Sequence, residues 1–457
     1  MALVFALIYP RIKFIICDID YIMKISYMGT GYVGQVSGAV SAHYGHDVVL
    51  VDIDKKKVES INQGKPTIFE KDLDEMMEDL VINKKKLRAT LDTHQAVLDT
   101  EASFICVGTP DRGGMIDLSY IQNVSKSIGK ALKDKKQFHL VIVKSTVVPG
   151  TTINTVKPII EEFSGKKAGV DFGIAMNPEF LREGLAVSDN IDPDNIVIGT
   201  QDEKSQKMLK EIYAWAAKEK YTFVNVTAAE AIKYAQNSFL AMKITFANEW
   251  GNYCDVMGID AKEVLDAIGA DRRISPMFLR NGPGYGGSCF PKDVNAIVHS
   301  GQINHSPFRI LEEVVATNNK QYLSLIDLAK SKIGSIARRK VGILGLSFKP
   351  DTDDTRESPA LKIISYLVSQ GCNIKAYCPQ GTEMAKKWLT DNRITEIFYA
   401  NSAEECVKDV EFVLIPTDWP EFRELLPKIT VPTFVGHRSF VNPDNFENVY
   451  SLGFPKK

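Results

Sequence analysis

The sequence predicts an α/β protein of two doubly wound domains joined by a long central helix. Three observations carry that prediction. Short apolar runs alternate with helical patterns from Lys24 to about residue 215. From Thr227 to about Met257 the chain has no proline and no glycine but Gly251, and its apolar residues recur at helical spacing, which reads as one long helix. A second alternation opens with Lys340-Val341-Gly342-Ile343-Leu344-Gly345 and continues with a helix near Ala360 to Gln370 and strands at Asn373 to Tyr377 and Phe412 to Pro416. The 457 residues therefore divide into an extension at 1–22, a first domain at 23–215, a central helical segment at 216–330 and a second α/β domain at 331–457.

Within the first domain, Lys24 to Met28 reads as a buried strand, Gly29-Thr30-Gly31-Tyr32-Val33-Gly34 as the turn into a helix, and Asp47 to Val51 as the next strand. In such a turn the first glycine makes the bend, the second admits a pyrophosphate and the third lets helix and strand pack closely, with the helix N-terminus facing the anion. Asp52 ends the second strand, where a carboxylate binds ribose hydroxyls and repels a 2′-phosphate, so NAD is expected rather than NADP. Together these features are the fingerprint of a Rossmann unit. Lys55, Lys56 and Lys57 read as a solvated helix face.

Further strands are expected at Ser103 to Val107, Leu140 to Lys144 and Gly173 to Met176. Two strand ends carry Val107-Gly108-Thr109-Pro110 and Lys144-Ser145-Thr146-Val147-Val148-Pro149-Gly150. They lie where a doubly wound sheet takes its ligand, or they are capped turns. On the long helix, Lys233 and Asn237 share a face. Helices of this length often build subunit interfaces, but Ala231, Ile232, Ala235 and Phe239 around the pair argue for burial and a functional role. In the second domain Gly345-Leu346-Ser347-Phe348-Lys349 replaces a complete fingerprint, so a smaller Rossmann-like domain holding part of another nucleotide is expected.

Composition narrows the function. Hydrophobic residues at 44%, charged residues at 25% and a net charge of −2 leave no basic excess for a nucleic-acid partner. The seven cysteines form no paired motif and the seven histidines no metal-ligand spacing, so neither a disulfide framework nor a metal site is signalled. That pattern suits the cytoplasm. Met1 to Tyr9 is apolar, but Pro10, Arg11, Lys13, Asp18 and Asp20 interrupt the run before it could span a bilayer, and no cleavage-site pattern follows. Met23 stands directly before the first strand, so the extension is expected to be an appendage or to lie upstream of the true start.

The densest signal is Gly282-Pro283-Gly284-Tyr285-Gly286-Gly287-Ser288-Cys289-Phe290-Pro291-Lys292-Asp293. Its glycines allow backbone amides to gather around one thiol, and amides or a cation such as Lys233 lower a thiol's pKa from about 8.5. Asp293 lies one helical turn beyond Cys289 if a helix starts there. A thiol nucleophile with a dinucleotide suggests oxidation of an alcohol to an acid through a thiohemiacetal and a thioester, with a carboxylate to activate the hydrolytic water. An inert turn cysteine is the alternative.

Those stretches, with Asn177-Pro178-Glu179-Phe180-Leu181-Arg182-Glu183-Gly184 and Phe348-Lys349-Pro350-Asp351-Thr352-Asp353-Asp354-Thr355-Arg356-Glu357-Ser358-Pro359, make the chain from residue 23 onward resemble the UDP-glucose/GDP-mannose dehydrogenase family. The resemblance implies Cys289 as nucleophile, Lys233 and Asn237 on the oxyanion, Asp293 with Thr146 on the water, and Glu179 as an assisting base. Glu183 would support Thr146 and the water. It implies NAD contacts from Gly29, Gly31, Tyr32, Val33, Gly34, Asp52, Thr109, Thr146, Glu183 and Lys292. Substrate contacts would come from Glu179, Phe180, Leu181, Lys233, Asn237, Phe278, Leu279, Arg280, Gly286, Phe348, Lys349 and Arg438, with Arg273 reaching in from a partner subunit of a homodimer or larger oligomer.

Cys289-Phe290-Pro291-Lys292-Asp293 resembles the UDP-glucose branch, which implies oxidation of UDP-glucose to UDP-glucuronate for surface polysaccharide. The chain departs from the family pattern at Asn195, where arginine is usual, at Cys378, where aspartate is usual, and at Gly436-His437-Arg438, where Asp-Gly-Arg is usual. Three other readings compete: a dehydrogenase of a UDP-N-acetylhexosamine or GDP-mannose, a simple two-electron dehydrogenase, and a non-catalytic NAD-binding regulator. The joint presence of Lys233, Asn237, Cys289 and Asp293 speaks against the last.

Overall fold

The computed structural model of the chain describes residues 21–455, so the expected extension lies outside the described residues except for Tyr21 and Ile22. The chain forms two compact units. Among the described residues, one comprises those up to Pro110 and Ile116–Lys233, the other Asp111–Met115 and those from Tyr234 onward.

The first unit carries β1 (Lys24–Met28), β2 (Asp47–Val51), β3 (Leu87–Thr90), β4 (Ala102–Ile105), β5 (His139–Val143), β6 (Phe172–Met176), β7 (Ile196–Thr200) and β8 (Tyr221–Val224). They form one sheet in the order β8-β7-β6-β5-β4-β1-β2-β3, parallel throughout except between β6 and β7. Its central strands are mostly apolar because both faces are covered, and every residue of β5 and β6, His139 included, is buried. Alternate side chains feed two cores, Ile25, Tyr27, Leu50 and Ile142 in one, Met28, Val49, Val51 and Val143 in the other.

After β1 the chain bends at Gly29, whose φ is +101°, and enters α1 (Tyr32–His43). The Gly29 amide donates to the Val51 carbonyl at 2.7 Å, fixing the turn to the end of β2. Gly34 is needed for the turn itself more than for helix-on-strand packing: a Cβ there would lie 1.9 Å from the Gly29 carbonyl oxygen. Gly34→Ala is therefore expected to push α1 off the turn, to cost about 1–3 kcal/mol of stability and to weaken NAD binding. Thermal melts and an NAD titration check this; unchanged NAD affinity would show that the turn tolerates the methyl.

The division between the units falls inside α2 (Val226–Met257), the long helix expected from the sequence. In the second unit α3 (Phe290–Ile303) starts directly after Cys289, with Pro291 in its first turn, where its missing N–H costs nothing. Six strands follow: β9 (Lys340–Leu344), β10 (Asn373–Tyr377), β11 (Ile397–Tyr399), β12 (Phe412–Ile415), β13 (Thr433–Val435) and β14 (Val449–Ser451). Their order is β11-β10-β9-β12-β13-β14, parallel throughout. Gly345 repeats the bend of Gly29, with φ +93° and its amide on the Tyr377 carbonyl at 2.8 Å. The next helix, α4 (Pro359–Ser369), starts much later after its bend than α1 does after Gly29.

The first sheet runs to Val224 rather than ending near residue 215. Its last strand is an edge strand whose residues are all partly exposed, so it lacks an apolar run. No helix among the described residues is long and apolar enough to cross a membrane.

Candidate active site

In the first unit, the Asp52 carboxylate takes the Thr30 amide at 2.8 Å and the Thr30 hydroxyl on Oδ2, and the Asp54 amide at 3.0 Å on Oδ1. Burial pushes this carboxyl up, but those hydrogen bonds and Lys57 outweigh it and hold the group below the usual carboxylate range. It is thus an ionised acceptor at the mouth of the turn. At Gly31 a Cβ would meet nothing within 4 Å, so the backbone there is open to a ligand. Glycine bend, helix N-terminus and strand-end acid fit the pyrophosphate and ribose of NAD.

The two strand-end loops are tied together. Thr109 Oγ1 donates to the Thr146 carbonyl at 2.9 Å and Ser145 Oγ to the Val107 carbonyl at 2.7 Å. Glu230 on α2, which the sequence did not single out, accepts the Gly150 and Thr152 amides and so anchors the end of the 144–150 loop. Glu70, also missed, accepts from the Gly184 and Ala186 amides at 2.7 and 2.8 Å, and the Tyr32 hydroxyl accepts from Gly184 at 3.0 Å. These acids lie far in sequence from what they hold, so only their burial would have marked them.

Lys233 and Glu179 form a buried ion pair at 3.0 Å, and the Leu181 amide donates to Glu179 at 2.7 Å. Lys233 Nζ also sits 5.4 Å from the centre of the Phe180 ring. Burial pushes the Glu179 carboxyl up, but Lys233, the Leu181 amide and Lys144 together hold it below its ordinary value. Lys144 donates to Asn177 Oδ1 at 2.9 Å and contacts the Tyr213 hydroxyl at 3.1 Å, and burial pulls its ammonium down to about 8. The residues on either side of Pro178 are thus both held by buried lysines.

In the second unit the half-buried Cys289 stands at the N-cap of α3, with the Ser288 hydroxyl 3.5 Å from its sulfur. The Asp293 amide closes the first helical bond onto the Cys289 carbonyl at 2.8 Å, so the acid does lie one turn from the thiol. Asp293 is fully buried, and its carboxylate accepts from Asn237 Nδ2 at 2.6 Å and pairs with Lys292. The preceding loop is gripped by Asn318, which exchanges two hydrogen bonds with the Tyr285 backbone at 2.8 and 3.0 Å. Nothing in the residues around Asn318 marks it for this role.

Gly286 and Gly287 pack under the Phe348 ring: a Cβ at Gly287 would lie 2.9 Å from it, and one at Gly286 2.5 Å from the Glu357 carbonyl oxygen. Lys349 Nζ lies 5.6 Å from the same ring's centre. Phe278 takes a left-handed φ of +61°, Leu279 is buried, and Arg280 pairs with Asp418 at 3.0 Å. Arg273 is exposed and paired with Asp271. Arg438 is buried, forked onto both oxygens of Asp260 at 2.9 and 2.6 Å, with its guanidinium over Phe454. Among the described residues no group of three or more His, Cys, Asp or Glu could hold a metal ion.

A glycine bend into a helix N-terminus with a strand-end acid, in a doubly wound sheet, defines a dinucleotide-binding protein. Residues 23–217 match the NAD binding domain of the UDP-glucose/GDP-mannose dehydrogenase family, residues 227–320 its central domain and residues 342–442 its UDP binding domain. The chain is 42% identical over 408 residues to the UDP-glucose 6-dehydrogenase AglM of Haloferax volcanii, covering 88% of this chain and 93% of that protein. It is 43% identical over 358 residues to the GDP-mannose 6-dehydrogenase of Azotobacter vinelandii, covering 78% and 81%. The structure of a UDP-glucose dehydrogenase from the hyperthermophilic archaeon Pyrobaculum islandicum matches with a TM-score of 0.88 at 34% identity, over 95% of this chain and 98% of that one. The chain belongs to the UDP-glucose/GDP-mannose dehydrogenase family. Its activity is that of an NAD-dependent nucleotide-sugar dehydrogenase.

Proposed function

We propose that the chain oxidises UDP-glucose at C6 to UDP-glucuronate in two successive two-electron steps, in the cytoplasm. The observation that carries this reading is Cys289 at the start of α3 with Asp293 one turn on, its carboxylate held by Asn237 and Lys292. A thiol in that position suits a reaction in which an aldehyde is trapped and oxidised again.

NAD, when bound, accepts the hydride leaving C6 at each oxidation. The Cys289 sulfur adds to the C6 aldehyde to form a thiohemiacetal, whose oxidation leaves a thioester. Lys233 and Asn237 donate to the oxygen that carries negative charge in these steps. Glu179 assists in removing the hydroxyl proton, and Asp293 with Thr146 orients the water that cleaves the thioester and frees the thiolate. Glu183 supports Thr146 and that water. Phe278, Leu279, Arg280, Gly286, Phe348, Lys349 and Arg438 hold the nucleotide sugar, with Arg273 of a partner subunit.

The domain plan follows, with the first boundary moved from 215 to the end of the sheet: residues 23–224 bind NAD, the segment from there to 330 carries the thiol and the dimer contact, and 331–457 bind the UDP moiety. Phe239, counted among the residues arguing for burial around Lys233, is instead exposed, and with Phe246, Trp250, Tyr253 and Met257 at helical spacing on α2 it supports a homodimer. Light scattering is expected to give the mass of a dimer or larger, and Trp250→Glu to lower it; a native monomer would refute this part.

NADH formed per UDP-glucose consumed tests the central reading. Two equivalents with an acidic sugar as product are expected. One equivalent would mean a released aldehyde or ketone and no role for Cys289. The identity to a GDP-mannose 6-dehydrogenase, 43% over 358 residues, is close to the 42% over 408 residues to a UDP-glucose 6-dehydrogenase, so GDP-mannose is the second substrate to assay.

A further inference from the structure

Thr67 to Glu70 is a short stretch of the first unit that holds two parts of the site at once. At one end it is tied to the coenzyme turn. Gln35, fully buried in the first turn of α1, donates from Nε2 to the Thr30 carbonyl at 2.7 Å and to Thr67 Oγ1 at 2.8 Å, and its Oε1 accepts the Thr67 amide at 2.9 Å. Thr30 is itself fixed by Asp52, which takes its amide at 2.8 Å. At the other end Glu70, 2% exposed, accepts the Gly184 amide at 2.7 Å on one carboxyl oxygen and the Ala186 amide at 2.8 Å on the other. Three peptide steps separate Thr67 from Glu70, a reach of at most about 11 Å, so the two anchors cannot drift apart.

The loop that Glu70 grips carries Glu179, which pairs with Lys233 at 3.0 Å, and Glu183, directly before the first amide taken. The Gly184 amide also bonds the Tyr32 hydroxyl at 3.0 Å, and Tyr32 stands in the glycine turn. Beyond Ala186, Asn190 Nδ2 donates to Ser37 Oγ of α1 at 3.0 Å, so the short helix 186–191 is held near both ends. Inside the loop the Leu181 amide bonds Glu179 and the Arg182 amide bonds Asp189. Those bonds order the loop without tying it to the coenzyme turn. That tie is made by Glu70 and Tyr32, from opposite sides of the same amide.

We propose that Glu70 is a positioning residue that sets the Glu179–Gly184 loop in register with the coenzyme turn, so that the loop's acids and the hydride acceptor meet the reacting carbon in one arrangement. It acts through the Gly184 and Ala186 amides rather than on the reacting atoms. The proposal rests on the reading that Glu179 and Glu183 serve the reaction. A displacement of about 1 Å caused by a change remote from the chemistry costs roughly 100-fold in rate. Binding is spread over many contacts and tolerates such a shift. The signature of lost register is therefore a fall in kcat with affinity kept, whereas a residue that only keeps the chain folded changes the number of active molecules and leaves each one as it was.

The test is Glu70→Gln, which keeps the side chain's shape but sets an NH2 donor against one of the two amides. Calorimetric titration with NAD counts the folded sites, and turnover of UDP-glucose, or of GDP-mannose if the native chain oxidises that, is expressed per NAD site. The variant is expected to turn over about 10- to 100-fold more slowly per site, with NAD affinity and the KM for the nucleotide sugar within about threefold of native. Unchanged turnover per site overturns the proposal, and so does a loss of NAD affinity or a rise in KM that accounts for the whole effect. Hydrogen exchange of the native chain decides even if the variant does not fold. There the Gly184 and Ala186 amides are expected to exchange roughly 100-fold or more slower than free amides, and exchange at the free rate overturns the proposal. Glu179→Gln tests the underlying reading separately, since full turnover in that variant would refute the role of the loop's acid. A slowed Glu179→Gln beside an unaffected Glu70→Gln would refute the positioning role alone.

Discussion

Cys289→Ser is expected to lower net acid formation by roughly 10³-fold or more while NAD still binds. A serine hydroxyl at the start of α3 would have the same helix amides around it, but its proton is held far too tightly at neutral pH for the oxygen to trap an aldehyde as the thiolate does. The first oxidation does not need the sulfur, so the variant should release aldehyde and stop near one NADH per sugar. Measuring product and NADH together separates this from a general loss of activity. Undiminished acid formation would remove the thioester from the mechanism.

The second large effect is expected at Lys233. Lys233→Met would leave the Glu179 carboxylate buried without its cation, which costs about 3–5 kcal/mol when one partner of a buried pair is removed. Because folding holds the Glu179 carboxyl below its unfolded value, the pair's contribution is complete above an unfolded value of about 4.3 and is lost as pH falls through the folded one. Thermal melts of the native chain should therefore fall off at acid pH, and those of Lys233→Met should lose that share of the dependence. Adding Glu179→Gln to the variant should restore much of the stability, since no buried charge is left, but none of the activity. Recovery of activity in the double variant would assign Lys233 a purely structural part.

How much of this was legible depended on how local the signal was. β1 and β2 stand at the residues expected because each is an apolar run bounded by glycine or aspartate, and α2 differs from expectation by one residue because nothing interrupts its periodicity. β3 and β8 escaped because edge strands are buried on few residues and show no apolar run. Asp293 could be placed one turn from Cys289, since helix geometry alone fixes that distance. That Glu179 finds Lys233 and that Arg438 is taken by Asp260 could not be read, because ion pairs between residues distant in the chain have no sequence period, and that Lys292 turns onto its neighbour Asp293 depends on rotamers that the sequence does not state. Glu70, Glu230 and Asn318 belong to the same class: their partners are backbone amides, and any residue supplies those.

The two glycine bends differ in what surrounds them. At the first, Asp52 ends the neighbouring strand and a helix starts at once; at the second, Cys378 stands where the acid would be and the helix is delayed to Pro359. Only the first is equipped for a dinucleotide, so the proposed four-electron oxidation would have to pass through a single coenzyme berth. The spent coenzyme then has to leave and a fresh one enter while the half-oxidised sugar stays behind. Turnover becomes a relay with a mandatory handover in the middle, and accumulated NADH should slow it by occupying the berth at that moment.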